Sequence, residues 1–87
     1  MNTIENYKSF TAFVDTKGRY QKFEICLGVD ISESVYDIVE FLKEKQIKGE
    51  FVLRVNGKKI VLSKDSNPAL LMNEFFGRSE AQAQNIL

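Results

Sequence analysis

Four carboxylates, Glu33, Asp37, Glu40 and Glu44, follow one another at intervals of four, three and four residues, which lines them up along one side of a helix. Clustered carboxylates are the raw material of acid–base catalysis and of hard-cation binding, but both uses carry a further requirement. Catalysis needs a cleft that raises one pKa, and a cation needs converging carbonyl or carboxylate oxygens. On a water-facing helix side these groups stay ionised and apart, so the ridge reads as a solvated face or, as the candidate site, a surface that would meet a basic protein partner. The second constellation is basic: Lys17, Arg19 and Lys22, then Arg54, Lys58 and Lys59. These six are expected on two hairpins and make one patch, with Tyr20 nearby, if both hairpin tips lie at the same end of one sheet. Aromatic residues beside cations on a sheet are how RNA-binding sheets stack bases, although the RNP-type aromatic motif is missing here.

Other chemistries are removed by composition. The chain has no His, which eliminates His-based acid–base catalysis, Ser–His and Cys–His nucleophiles and most zinc sites. The single Cys26 has no partner for an internal disulfide or a thiolate cluster; in an alternating apolar segment it reads as a small buried thiol in a reducing compartment. The five glycines form neither a Walker loop nor a dinucleotide fingerprint. The run Asn56-Gly57-Lys58-Lys59 is explained by hairpin geometry alone. The expectation is therefore no enzyme, no cofactor and no metal.

The elements that must position these charges are legible. Asp30 precedes Glu33 at capping-box spacing, and Gly49 offers a left-handed stop, so a helix is expected over residues 31–47. Its inward stripe is Ile31, Val35, Ile38, Val39 and Leu42, while Lys43, Lys45 and Lys48 crowd the C-terminal end, where they oppose the helix dipole. Before it, residues 10–15 (FTAFVD) and 20–27 (YQKFEICL) flank a short glycine-containing connection and read as a hairpin. The odd-numbered set Gln21, Phe23, Ile25 and Leu27 is expected on the core side; for the first strand, Phe10, Ala12 and Val14 compete with Thr11, Phe13 and Asp15. After the helix, residues 50–55 and 59–63 flank Asn56-Gly57, the strongest short-range signal for a type I′ hairpin. Asn67 then caps a second helix that opens on Pro68 and ends at Gly77, with Leu70, Leu71, Phe75 and Met72 turned inward.

The order ββαββα predicts an α+β fold of two layers: a four-stranded, mainly antiparallel sheet with both helices packed on one face. Residues 1–77 form a single compact domain, and residues 78–87 a C-terminal tail, frayed or briefly helical. In order only, the first five elements resemble the opening of the ubiquitin-like β-grasp fold. That fold requires a final strand beside the first, and residues 78–87 make a poor strand.

Twelve basic residues balance twelve acidic ones, which gives no long-range attraction to nucleic acid or anionic membrane. No apolar run approaches a membrane span, and residues 1–10 lack a signal-peptide pattern, so a cytoplasmic protein is expected. Small size, absent catalytic residues and segregated charge point to a non-catalytic protein-binding domain, a small adaptor or inhibitor. The composition, rich in Lys, Asn, Ile and Phe, resembles that of small accessory proteins of bacteria and phages, including inhibitors of host defence complexes such as anti-CRISPR proteins. The alternatives are nucleic-acid binding through the basic hairpin ends and a self-associating subunit, a homodimer, that uses an uncovered sheet face.

Overall fold

Alternation of apolar and polar residues builds the first sheet. The computed structural model describes residues 2–77; the tail expected at residues 78–87 lies outside the described residues. Strands β1 (Thr3–Asn6), β2 (Phe10–Val14) and β3 (Tyr20–Ile25) form an antiparallel sheet in that order. The edge strand β1 was not expected. Its four residues, TIEN, carry only one large apolar group, and pairing with β2 rather than propensity makes it a strand. In β2 the choice resolves to Phe10, Ala12 and Val14, all buried.

The expected face of β3 is correct at one end and wrong at the other, because of a bulge. Phe13 pairs with Lys22 and Val14 with Tyr20, leaving Gln21 as the extra residue. The slip turns Tyr20 rather than Gln21 toward the core, where it packs beside Phe23 with ring centroids 5.9 Å apart. Leu27, also assigned inward, is 101% exposed. β3 ends at Ile25, and the turn through Gly28 (φ 80°) swings Leu27 out. Cys26 is half-buried at that turn, its Sγ 3.8 Å from the Tyr7 carbonyl oxygen, rather than a core thiol.

Helix α1 (Ile31–Glu44) starts at Asp30, whose carboxylate accepts the Ser32 amide at 2.8 Å. It stops earlier than residue 47. Gln46 enters the left-handed region (φ 54°), its amide donates to the Lys43 carbonyl, and the Ile47 amide donates to the Leu42 carbonyl at 2.9 Å. This pair of bonds is the Schellman stop, completed by Ile47 packing back on the core. Gly49 plays no part in the cap.

Strands β4 (Phe51–Val55) and β5 (Lys58–Leu62) make the second hairpin across Asn56 and Gly57, both at positive φ as a type I′ turn requires. Helix α2 (Pro68–Phe75) follows, with the Asn67 side chain accepting the Ala69 and Leu70 amides. Gly77 (φ 73°) closes it. Met72 is buried and Leu71 and Phe75 pack partly inward, whereas Leu70 is exposed.

The single four-stranded sheet is not formed. The strands divide into a three-stranded and a two-stranded antiparallel sheet, with β3 and β4 adjacent but not hydrogen-bonded to each other. Phe23 and Phe51 meet edge to face across the seam, centroids 5.0 Å apart, so side-chain packing joins the sheets there. The core comprises Phe10, Ala12, Phe23, Leu53, Ile60 and Leu62 from the strands, against Val35, Ile38, Val39, Phe41 and Leu42 of α1 and Met72 of α2.

Candidate functional site

The acidic ridge survives in part. Glu33, Glu40 and Glu44 are exposed, but Asp37 is half-buried and accepts a hydrogen bond from the Ser9 hydroxyl. Three neighbours on that flank of α1, Ser34, Asp37 and Phe41, are covered by the link between β1 and β2. Ser34 Oγ donates to the Ser9 carbonyl at 2.7 Å, and the Tyr7 ring lies 5.0 Å from that of Phe41. Asp37 thus belongs to the fold, and Glu33, Glu40 and Glu44 remain as the exposed ridge.

The six expected basic residues do not form one patch. Gly18 and Arg19, at the first hairpin tip, share a cleft with Lys48 and Phe51, where β4 begins. Asn56, at the second tip, shares a different groove with Leu27 and Gly28, beyond the end of β3. β3 and β4 therefore run in the same direction and the tips point to opposite ends of the molecule. Lys58 faces the helix side, where its ammonium donates to the Phe75 carbonyl at 3.1 Å. Lys17 is exposed at the first tip, where the Asp15 carboxylate organises the turn by accepting the Lys17 and Arg19 amides at 2.9 Å each. The Arg19 amide foremost, then the Lys17 amide and the Arg19 guanidinium, hold the Asp15 carboxyl below its ordinary value.

Lys22, Arg54 and Lys59 share the sheet face turned away from α1, and so do apolar groups that sequence reasoning left without a role. Cross-strand pairing sets Ile4 opposite Phe13, Phe13 opposite Lys22, and Val52 opposite Val61. Lys22 and Val52 line the same groove across the seam. The result is two lateral rows, Ile4, Phe13 and Lys22 on the first sheet and Val52 and Val61 on the second, which flank that groove. Ile4, Val52 and Val61 are 56%, 46% and 44% exposed. The Lys22 ammonium stands 4.7 Å from the Phe13 ring centroid and 3.4 Å from Glu24. Arg54 pairs with Lys59 in the next row, so the strands place three cations and Glu24 on this face, with Glu50 just ahead of β4. Alternation in β4 and β5 was legible and would have placed Val52 and Val61 outside; Ile4 needed the unexpected strand.

Tyr7 and Tyr20 form a polar cluster on the helix side, both donating to Glu5 Oε1, at 2.7 and 3.0 Å. Desolvation, reinforced by the Glu5 hydrogen bond and charge, pushes the Tyr7 phenol up to about 12 and raises that of Tyr20. Both phenols are neutral donors near pH 7, unsuited to serve as bases. Among the described residues no group of His, Cys, Asp or Glu is placed to hold a metal ion, and every buried side-chain nitrogen or oxygen has a partner. No described helix is long and apolar enough to cross a membrane.

No family model matches this chain, and neither a curated protein nor a solved structure shows detectable similarity to it.

Proposed function

We propose that the chain is a non-catalytic binding domain, a small adaptor or inhibitor that grips a protein partner on the helix-free sheet face. The observation that carries this reading is the pair of rows, Ile4, Phe13 and Lys22 in one and Val52 and Val61 in the other, on either side of one groove. Single exposed apolar residues are ordinary, but two cross-strand rows flanking one groove present apolar area that a partner can remove from water. At about 25 cal/mol per Å², covering the rows favours association without any catalytic group. Lys22, Arg54 and Lys59 outnumber Glu24 and Glu50 on the same face, which favours a partner surface that is apolar at its centre and acidic at its rim. Two copies face to face would oppose these cations, which ranks self-association below a different protein. Nucleic-acid binding through the hairpin ends loses its main support, since the tips lie at opposite ends.

A photo-crosslinking side chain at position 52 and, separately, at position 40 tests the surface in the native host lysate. Crosslinks to a protein from position 52 and none from position 40 support the reading. Crosslinks from position 40 alone move the site to the acidic ridge, and crosslinked dimers of the chain replace the partner with a second copy.

A further inference from the structure

The end of the molecule at the first hairpin holds an assembly that neither charged stretch of sequence announces by itself. A cleft of about 690 Å³ opens where the hairpin tip, the C-terminal end of α1 and the start of β4 converge. Arg19, Lys45 and Lys48 surround it, and Tyr20, Ile47 and Phe51 supply its apolar wall. Among the described residues, none of those lining the cleft carries a carboxylate. Lysines after a helix are often no more than a response to the dipole, which amounts to roughly half a negative charge. That half charge, together with Asp15 at 3.3 Å from the Arg19 Nε, offsets only part of three cations. Lys45 stands 5.4 Å from the Phe41 ring centroid, a contact that orients the ammonium without neutralising it.

From this convergence we infer that the cleft binds a nucleotide, its phosphate among Arg19, Lys45 and Lys48 and its base against Tyr20 and Phe51. Cations next to partly exposed rings are what a phosphate joined to a planar base requires, whereas inorganic phosphate would use the cations alone. The volume lies within the range of small-ligand clefts. The nucleotide arrives either free or as part of a single strand, and both sources present the same chemistry. This site is separate from the sheet face and does not depend on it.

Fluorescence anisotropy of a labelled single-stranded oligonucleotide, with adenosine monophosphate and inorganic phosphate as competitors, tests the assignment on the full chain. If a strand binds through all three cations, log K should fall against log salt with a slope of about −2. Lys45→Gln with Lys48→Gln should flatten that slope while lowering the thermal midpoint by only a few degrees, through the lost dipole and Phe41 contacts. Phe51→Leu, assayed well below a thermal midpoint lowered by the lost Phe23 contact, should weaken binding about tenfold without altering the slope. Competition by the mononucleotide as effective as by unlabelled strand assigns the site to free nucleotide; competition by strand alone assigns it to nucleic acid. Absence of binding to both at low salt, binding indifferent to the lysine changes, or equal competition by inorganic phosphate overturns the proposal.

Discussion

Ser9 Oγ lies 2.5 Å from Asp37 Oδ2, and the Ser9 carbonyl accepts the Ser34 hydroxyl, so one residue of the β1–β2 link is held twice by α1. Ser9 is buried and Asp37 half-buried, which leaves the carboxylate poorly hydrated if its donor is lost. Ser9→Ala should therefore cost about 1.5–3 kcal/mol, and Asp37→Lys at least as much, since it removes the acceptor of the Ser9 hydroxyl and forces a longer side chain beneath the β1–β2 link. Glu40→Lys, one turn away and exposed, should stay within about half a kcal/mol. Denaturant unfolding of the three variants measures this; equal losses would place Asp37 on the solvent ridge with Glu40.

The helix stop at Gln46 uses a residue that tolerates the left-handed region poorly. Gln46→Gly should raise stability by about 0.5–1 kcal/mol, the backbone strain relieved being only partly offset by the greater freedom of glycine in the unfolded chain. Gln46→Val, β-branched, should lower it. Thermal midpoints that shift in the same direction for both variants would rule out the strained cap.

The bulge makes Gln21 an insertion rather than a member of the strand ladder. Deleting it preserves the pairs Val14 with Tyr20 and Phe13 with Lys22 and costs mainly the side-chain bond to Asp15, 3.0 Å long. Deleting Glu24 instead leaves the bulge and slips the rest of β3, turning Phe23 or Ile25 to the wrong side. The first deletion should fold with an unchanged aromatic circular dichroism signal, and the second should not.

Alkaline pH should act through Tyr7. Below about pH 10 the phenol is neutral in both folded and unfolded chains and adds no pH dependence. Between there and about 12 the unfolded phenol ionises while the folded one keeps its proton, so stability falls as pH rises. Tyr20 is raised in the same direction and should add to the fall. Tyr7→Phe with Tyr20→Phe should flatten this part of the profile relative to the parent, as read by denaturant midpoints across the range. A parallel pair of profiles would show that the Glu5 cluster does not hold these protons.

The sequence by itself determined the local elements: the Asp30 and Asn67 caps, the Asn56-Gly57 turn, and the faces of α1 that bear Ile38 and Leu42 or Glu40 and Glu44. Each of these depends on a few neighbouring residues whose preferences agree, and such signals need no distant partner. Tertiary structure decided the rest. β1 is a strand because β2 offers it an open edge, and the link that joins the two covers Ser34 and Phe41, which periodicity alone left outside the stripe. Tyr20 turns inward because a one-residue bulge reverses every side chain on its side of the slip. The division into two sheets and the direction of β4 beside β3 separate the hairpin tips and scatter the expected basic patch. The same arrangement gathers Arg19 with Lys45 and Lys48, and Lys22 with Val52 along one groove; such proximity comes from packing between distant segments, which no local spacing encodes.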